Sequence, residues 1–153
     1  MTPAINAIKA AVQRQTFLGI DESGRASVVN TTGNPDCHVI LRGGDDSPNH
    51  DAASVAKALA ALAKAGLPPT VMIDASHANC AKECERMPAT FREILAQRAS
   101  NKGVIGAMLE SNLVAGTQSL GKDRSALVYG KSITDQCIDW AMTEKLVREV
   151  AAQ

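Results

Sequence analysis

Four side chains of ion-binding type stand at the ends of four separate segments in this sequence of 153 residues: Arg42 in HVILRGG, His77 in TVMIDASHAN, Glu110 in KGVIGAMLES and Asp135 in GKSITDQC. An imidazole and two carboxylates form a mixed nitrogen and oxygen donor set that suits Mn²⁺, Fe²⁺, Co²⁺ or Zn²⁺, and a softer fourth ligand would narrow the choice. Arg42, with Gly43 and Gly44 after it, offers a guanidinium and exposed backbone amides to an anion. Arginine is the natural bidentate partner of phosphate or carboxylate. Asp74, just upstream of His77, is placed to orient that imidazole or a bound water. Each residue also has a plainer use. His77 could be a hydrogen-bonded strand-end residue, Glu110 a solvated rim residue, Asp135 a helix cap and Arg42 a surface charge before a turn.

The elements that must position these residues alternate in type. HVIL, TVMID and GVIGAML are short apolar runs, read as strands buried on both faces. HDAASVAKALAALAKAG, with Asp51 near its start and Gly66 as its stop, reads as a helix carrying Val55, Leu59 and Leu62 on one stripe. MPATFREILAQRAS is a second helix with Phe91, Ile94 and Leu95 apolar, and SITDQCIDWAMTEKLVREVAAQ a third, with Thr134 or Asp135 at its N-cap. Three strand and helix units in succession predict a parallel α/β sheet covered by helices. In both (β/α) barrels and open α/β sheets, sites lie beyond the carboxyl ends of the strands, which is where Arg42, His77 and Glu110 fall.

Ahead of these units, AINAIKAAVQR is predicted helical, and TFLGIDESGRASVVNTTGN reads as a hairpin turning at Asp21-Glu22-Ser23-Gly24. VAGTQSLGKDRSALVYGKS reads as a long loop, in which Lys131 could add a second positive charge. His38 falls at the opposite, stabilising end of its strand, and His50 at a helix start or in a loop; neither is given a catalytic role.

Sixteen basic residues balance sixteen acidic ones, so the charge footprint of a nucleic-acid or anionic-membrane partner is not there. No run approaches the ~20 apolar residues of a membrane span, and the N-terminus lacks the layout of a secretory signal, which predicts a cytoplasmic protein. Aromatic residues make up only 3%, so the core must be Ala, Val, Leu, Ile and Met. The length suits one domain over residues 1–153. The four cysteines, Cys37, Cys80, Cys84 and Cys137, are too few and too irregular for a disulfide scaffold and read as free thiols. HANCAKEC lacks the CxxC pairs of a structural zinc site.

Taken together, NTTGNPDCHVILRGG, GLPPTVMIDASHAN, GAMLESNLVAGTQSL and YGKSITDQCIDW resemble the class I (alpha-type) 3-deoxy-D-arabino-heptulosonate 7-phosphate (DAHP) synthases, which open the shikimate pathway of aromatic amino acid biosynthesis. The resemblance covers nearly the whole chain. It implies the C-terminal part, about units six to eight, of a (β/α)₈ TIM barrel with an inserted β-hairpin. Members of the family are transferases that condense phosphoenolpyruvate with erythrose 4-phosphate and release phosphate. By resemblance, His77, Glu110 and Asp135 match three of the four divalent-metal ligands, and Arg42 and His77 bind phosphoenolpyruvate. The family's fourth ligand, a cysteine on the first strand, its Lys-Pro-Arg-Thr motif, a later arginine and a lysine on strand five have no counterpart here. A complete barrel takes about 250 residues. The resemblance therefore implies a truncated chain, inactive unless complemented by the N-terminal units or by self-association. The alternative is a non-catalytic remnant that binds a divalent metal or associates with intact synthase. A sheet cut from a barrel would also expose two edges and one apolar face.

Overall fold

Asp51 and Gly66 bracket the longest Ala-rich stretch of the sequence, and in the computed structural model, which describes residues 1–44 and 47–152, they bound a helix. That helix, α2 below, starts where the Asp51 carboxylate accepts the amides of Ala53 (3.0 Å) and Ser54 (2.9 Å), satisfying two of the donors that a helix N-terminus leaves open. It ends where Gly66 takes φ +73° and the amides of Gly66 and Leu67 reach back to Ala63 and Leu62. Only glycine adopts that left-handed closure without strain.

In chain order the elements are α1 (Thr2–Ala11), β1 (Thr16–Ile20), β2 (Ala26–Asn30), β3 (Val39–Leu41), α2 (Ala52–Lys64), β4 (Val71–Asp74), α3 (Met87–Ser100), β5 (Val104–Met108), β6 (Val114–Thr117), β7 (Lys131–Ser132) and α4 (Trp140–Ala151). The strands β3, β4 and β5 form a parallel sheet in that order. Its pleat decides the core. Val39, Leu41, Val71, Ile73 and Val104 are buried against the helices, together with Val55, Ala58 and Leu62 of α2 and Phe91 and Ile94 of α3. The other face carries Ile40 and Ile105, both 43% exposed, with Met72 between them half-buried. A bulge after Val71 sets Met72 opposite Gly106 and leaves Ile105 unpaired.

The hairpin β1–β2 forms as its turn residues require: the Asp21 carboxylate accepts the amides of Ser23 and Arg25, and Gly24 takes φ +77°. Two expectations change. The segment 114–132 is not all loop, since β6 and β7 pair in parallel within it. The last helix starts later than expected, capped by Asp139, whose carboxylate accepts the Met142 amide at 2.8 Å. Residues 135–138 are engaged elsewhere: Cys137 exchanges backbone hydrogen bonds with Gly116, and Ile138 donates to the Glu110 carbonyl while accepting from Asn112. Asp135 is therefore not a cap. The described residues contain no helix long and apolar enough to cross a membrane.

Candidate metal centre

Strand β4 delivers Asp74 to its carboxyl end, and the chain then turns through a short 3₁₀ helix, His77–Cys80. The turn is fastened from both sides. Asn79, 5% exposed, donates from Nδ2 to the carbonyls of Leu41 (3.0 Å) and Asp74 (2.7 Å), tying together the ends of β3 and β4. Its Oδ1 accepts the Asn49 amide at 2.8 Å, and Asn49 in turn accepts the Gly43 amide at 2.7 Å. Gly43, at φ +83°, passes so close to the turn that a Cβ would stand 2.5 Å from the Ala78 methyl, which explains glycine after Arg42.

His77 takes φ +52°, a conformation uncommon outside glycine, and its carbonyl accepts the Lys82 amide at 2.8 Å. Its Nδ1 lies 2.7 Å from Asp74 Oδ2, while Nε2 faces Glu110 Oε1 at 3.5 Å and Asp135 Oδ2 at 3.6 Å. Ligand-type atoms of His77, Glu110 and Asp135 all lie within 4.8 Å of one another. Their surroundings grade from buried to open: the His77 side chain is 19% exposed, Glu110 31% and Asp135 56%. Glu110 is held by its amide, which donates to the buried Ser76 hydroxyl at 2.9 Å. Its Oε2 is buried without a hydrogen-bond partner among the described residues.

Burial raises the Glu110 carboxyl above its ordinary pKa; nearby His77 pulls it down, Asp135 and Asp74 push it up, and Arg42 pulls it down. The charge of Arg42 thus reaches the cluster from the end of β3, although its side chain is exposed. Two carboxylates and an imidazole converging on one point, with an orphaned carboxylate oxygen among them, fit a cation. The donor chemistry, nitrogen with oxygen, fits a first-row divalent ion.

The Gly43 and Gly44 amides do not face an anion as expected, because Gly43 donates to Asn49 and Gly44 to the Ser47 carbonyl. Lys131 lies in β7 with its side chain over Gly116. His38 Nδ1 lies 3.4 Å from the Asp36 carbonyl at the far end of β3, and His50 pairs with Glu93 at 3.1 Å. Cys80 is turned inward, its thiol donating to the His77 carbonyl at 3.4 Å, and burial raises its pKa. All four cysteines are free thiols. The Ser76 link to Glu110 was missed in the sequence; its only signal is that a serine sits two residues after Asp74 in an apolar setting.

A family model described as the DAHP synthetase I family matches residues 1–148. The chain is 45% identical over 151 residues to a "Phospho-2-dehydro-3-deoxyheptonate aldolase, Tyr-sensitive" of Escherichia coli (strain K12), covering 98% of this chain and 42% of that protein. It is 48% identical over 149 residues to the Phe-sensitive counterpart of the same strain, again covering 42% of the relative. Among solved structures, the phospho-2-dehydro-3-deoxyheptonate aldolase of Francisella tularensis SCHU S4 superposes with a TM-score of 0.87 at 38% identity, over 97% of this chain and 43% of that one. The chain thus spans about two fifths of the length of each of these three relatives.

Proposed function

Because the chain belongs to the DAHP synthetase I family, we propose that it forms about units six to eight of a (β/α)₈ barrel and carries half of a DAHP synthase active site. In this reading residues 1–153 are one partial barrel domain with β1–β2 as an insertion. The reaction is the condensation of phosphoenolpyruvate with erythrose 4-phosphate, releasing phosphate. The observation that carries the reading is the convergence of His77, Glu110 and Asp135 within 4.8 Å beyond the carboxyl end of a parallel sheet, the position where barrel enzymes place their chemistry.

His77 Nε2 and the carboxylates of Glu110 and Asp135 would hold a divalent ion, Mn, Fe, Co or Zn. When bound, that ion supplies Lewis-acid polarisation of the erythrose 4-phosphate aldehyde. Arg42 neutralises phosphoenolpyruvate by paired N–H donation to its phosphate or carboxylate, and His77 also faces this substrate. Turnover needs barrel units one to five, supplied by a complementing chain, or further copies of this chain to close the sheet; the setting is cytoplasmic. The exposed Ile40 and Ile105 on the uncovered sheet face favour such a partner.

Phosphate release from phosphoenolpyruvate and erythrose 4-phosphate tests the reading. The chain alone should be inactive, and mixing it with a polypeptide carrying units one to five should give metal-dependent release. Arg42→Ala should then raise KM for phosphoenolpyruvate. Turnover by the lone chain would contradict the half-site, whereas a mixture that assembles without turnover would favour a non-catalytic, metal-binding role.

A further inference from the structure

We propose that Asp74 and Ser76 are positioning residues that preset the metal-binding state of the cluster: Asp74 fixes the proton of His77 on Nδ1, so that Nε2 is left as a donor, and Ser76 holds Glu110 beside it. The proposal rests on the metal reading of the rim.

Asp74 is 3% exposed, and both of its oxygens are engaged: Oδ1 accepts the Ser76 amide at 2.7 Å and Oδ2 faces His77 Nδ1 at 2.7 Å. An ionised carboxylate only accepts, so the ring nitrogen facing it must be the one that carries hydrogen. The lone pair of the neutral ring is then on Nε2, which faces Glu110 and Asp135. A carboxylate behind a ligating imidazole fixes its tautomer and raises its basicity. The Ser76 hydroxyl, fully buried, accepts the Glu110 amide at 2.9 Å and donates to Met87 Sδ at 3.5 Å. One short turn therefore orients two of the three ligands.

The Ser76 amide makes the device polar, and that polarity yields a sharp consequence. In Asp74→Asn the side-chain oxygen is claimed by the Ser76 amide, because the other orientation would point an NH₂ at an N–H in a buried site. The NH₂ must then occupy the place of Oδ2 and donate to His77 Nδ1. That moves the ring proton to Nε2, where it blocks the metal. An isosteric change would thus invert the tautomer instead of merely weakening a contact.

The test is ¹⁵N NMR of His77 in the metal-free 153-residue chain, titrated upward in pH until the ring is neutral, with Mn²⁺ affinity measured in parallel. Wild type should show the Nδ1–H tautomer, and Asp74→Asn the Nε2–H tautomer with affinity lower by roughly 10- to 100-fold. Ser76→Ala should weaken Mn²⁺ binding and leave the tautomer at Nδ1–H. An Nε2–H ring in the wild type would overturn the proposal without any variant, which covers the case in which Asp74→Asn does not fold; an Asp74→Asn ring that keeps Nδ1–H would overturn it too. Failure of the metal reading itself shows differently: the tautomers come out as described, but His77→Ala leaves Mn²⁺ affinity unchanged.

Discussion

The turn after β4 and the hairpin β1–β2 are built in opposite ways. In the turn, Asp74, Ser76 and Asn79 are buried: Asn79 is hydrogen-bonded to the end of β3 and to the loop before α2, Ser76 to Glu110 two residues past β5, and Asp74 to Ser76 and His77 within the turn. In the hairpin, the pairing runs unbroken from Thr16 opposite Asn30 to Ile20 opposite Ala26, yet Leu18, Ile20 and Val28 are 82%, 75% and 61% exposed on one face. The hairpin owes its shape to local turn chemistry and strand pairing. The turn owes its shape to partners distant in sequence, so its backbone can sit in the uncommon left-handed region at His77 and hold it there.

Perturbing the two regions should give effects of very different size. Ile73 lies fully buried in the strand that feeds the turn, and Ile73→Ala should destabilise the chain by about 2–5 kcal/mol in denaturant unfolding. Leu18→Ala in the hairpin should stay within about 0.5 kcal/mol of wild type. Equal losses at the two positions would break the contrast. Next in size is Asn79→Ala, which strips partners from two strand-end carbonyls and from the Asn49 amide. Leaving such groups unpaired costs on the order of 1–3 kcal/mol, and faster amide exchange at Asn49 and Gly43 would show the loosening travelling to Arg42.

The smallest effect concerns pH and sharpens the same contrast, since it arises from a purely local contact. Hydrogen bonding to Ser54 holds the Asp51 carboxyl below its ordinary pKa, with the Ala53 amide contributing. A depressed carboxyl stabilises the fold above its unfolded pKa, and that contribution fades as pH falls through the lower folded value. Asp51→Asn should remove this slight acid limb from a plot of stability against pH, while leaving the neutral-pH fold unchanged by circular dichroism. An acid limb of the same depth in the variant would assign the effect to other groups.

Much of this was legible in the sequence, for physical reasons that differ by element. Asp51 and Gly66 announced α2 because caps act within a turn of chain. The parallel order β3, β4, β5 followed from apolar runs alternating with helices. Asp74 beside His77 was readable from spacing, and the structure puts their side chains 2.7 Å apart. What escaped depended on long-range pairing. The sequence puts the helix cap at Thr134 or Asp135, whereas Cys137 and Ile138 bridge to Gly116 and Ser111 and Asp139 caps the helix. The strands β6 and β7 carry no usable period at four and two residues. Gly43 read as an anion-facing amide, whereas its amide serves Asn49 and its missing side chain makes room for Ala78.

The central claim is that His77, Glu110 and Asp135 form one divalent-cation site. Mn²⁺ titration followed by electron paramagnetic resonance tests it most directly, on the wild-type chain and on His77→Ala. The wild type should show a single saturable site, and the variant a loss of affinity beyond about 100-fold, more than a supporting residue would cause. Equal binding by the two chains would contradict that claim.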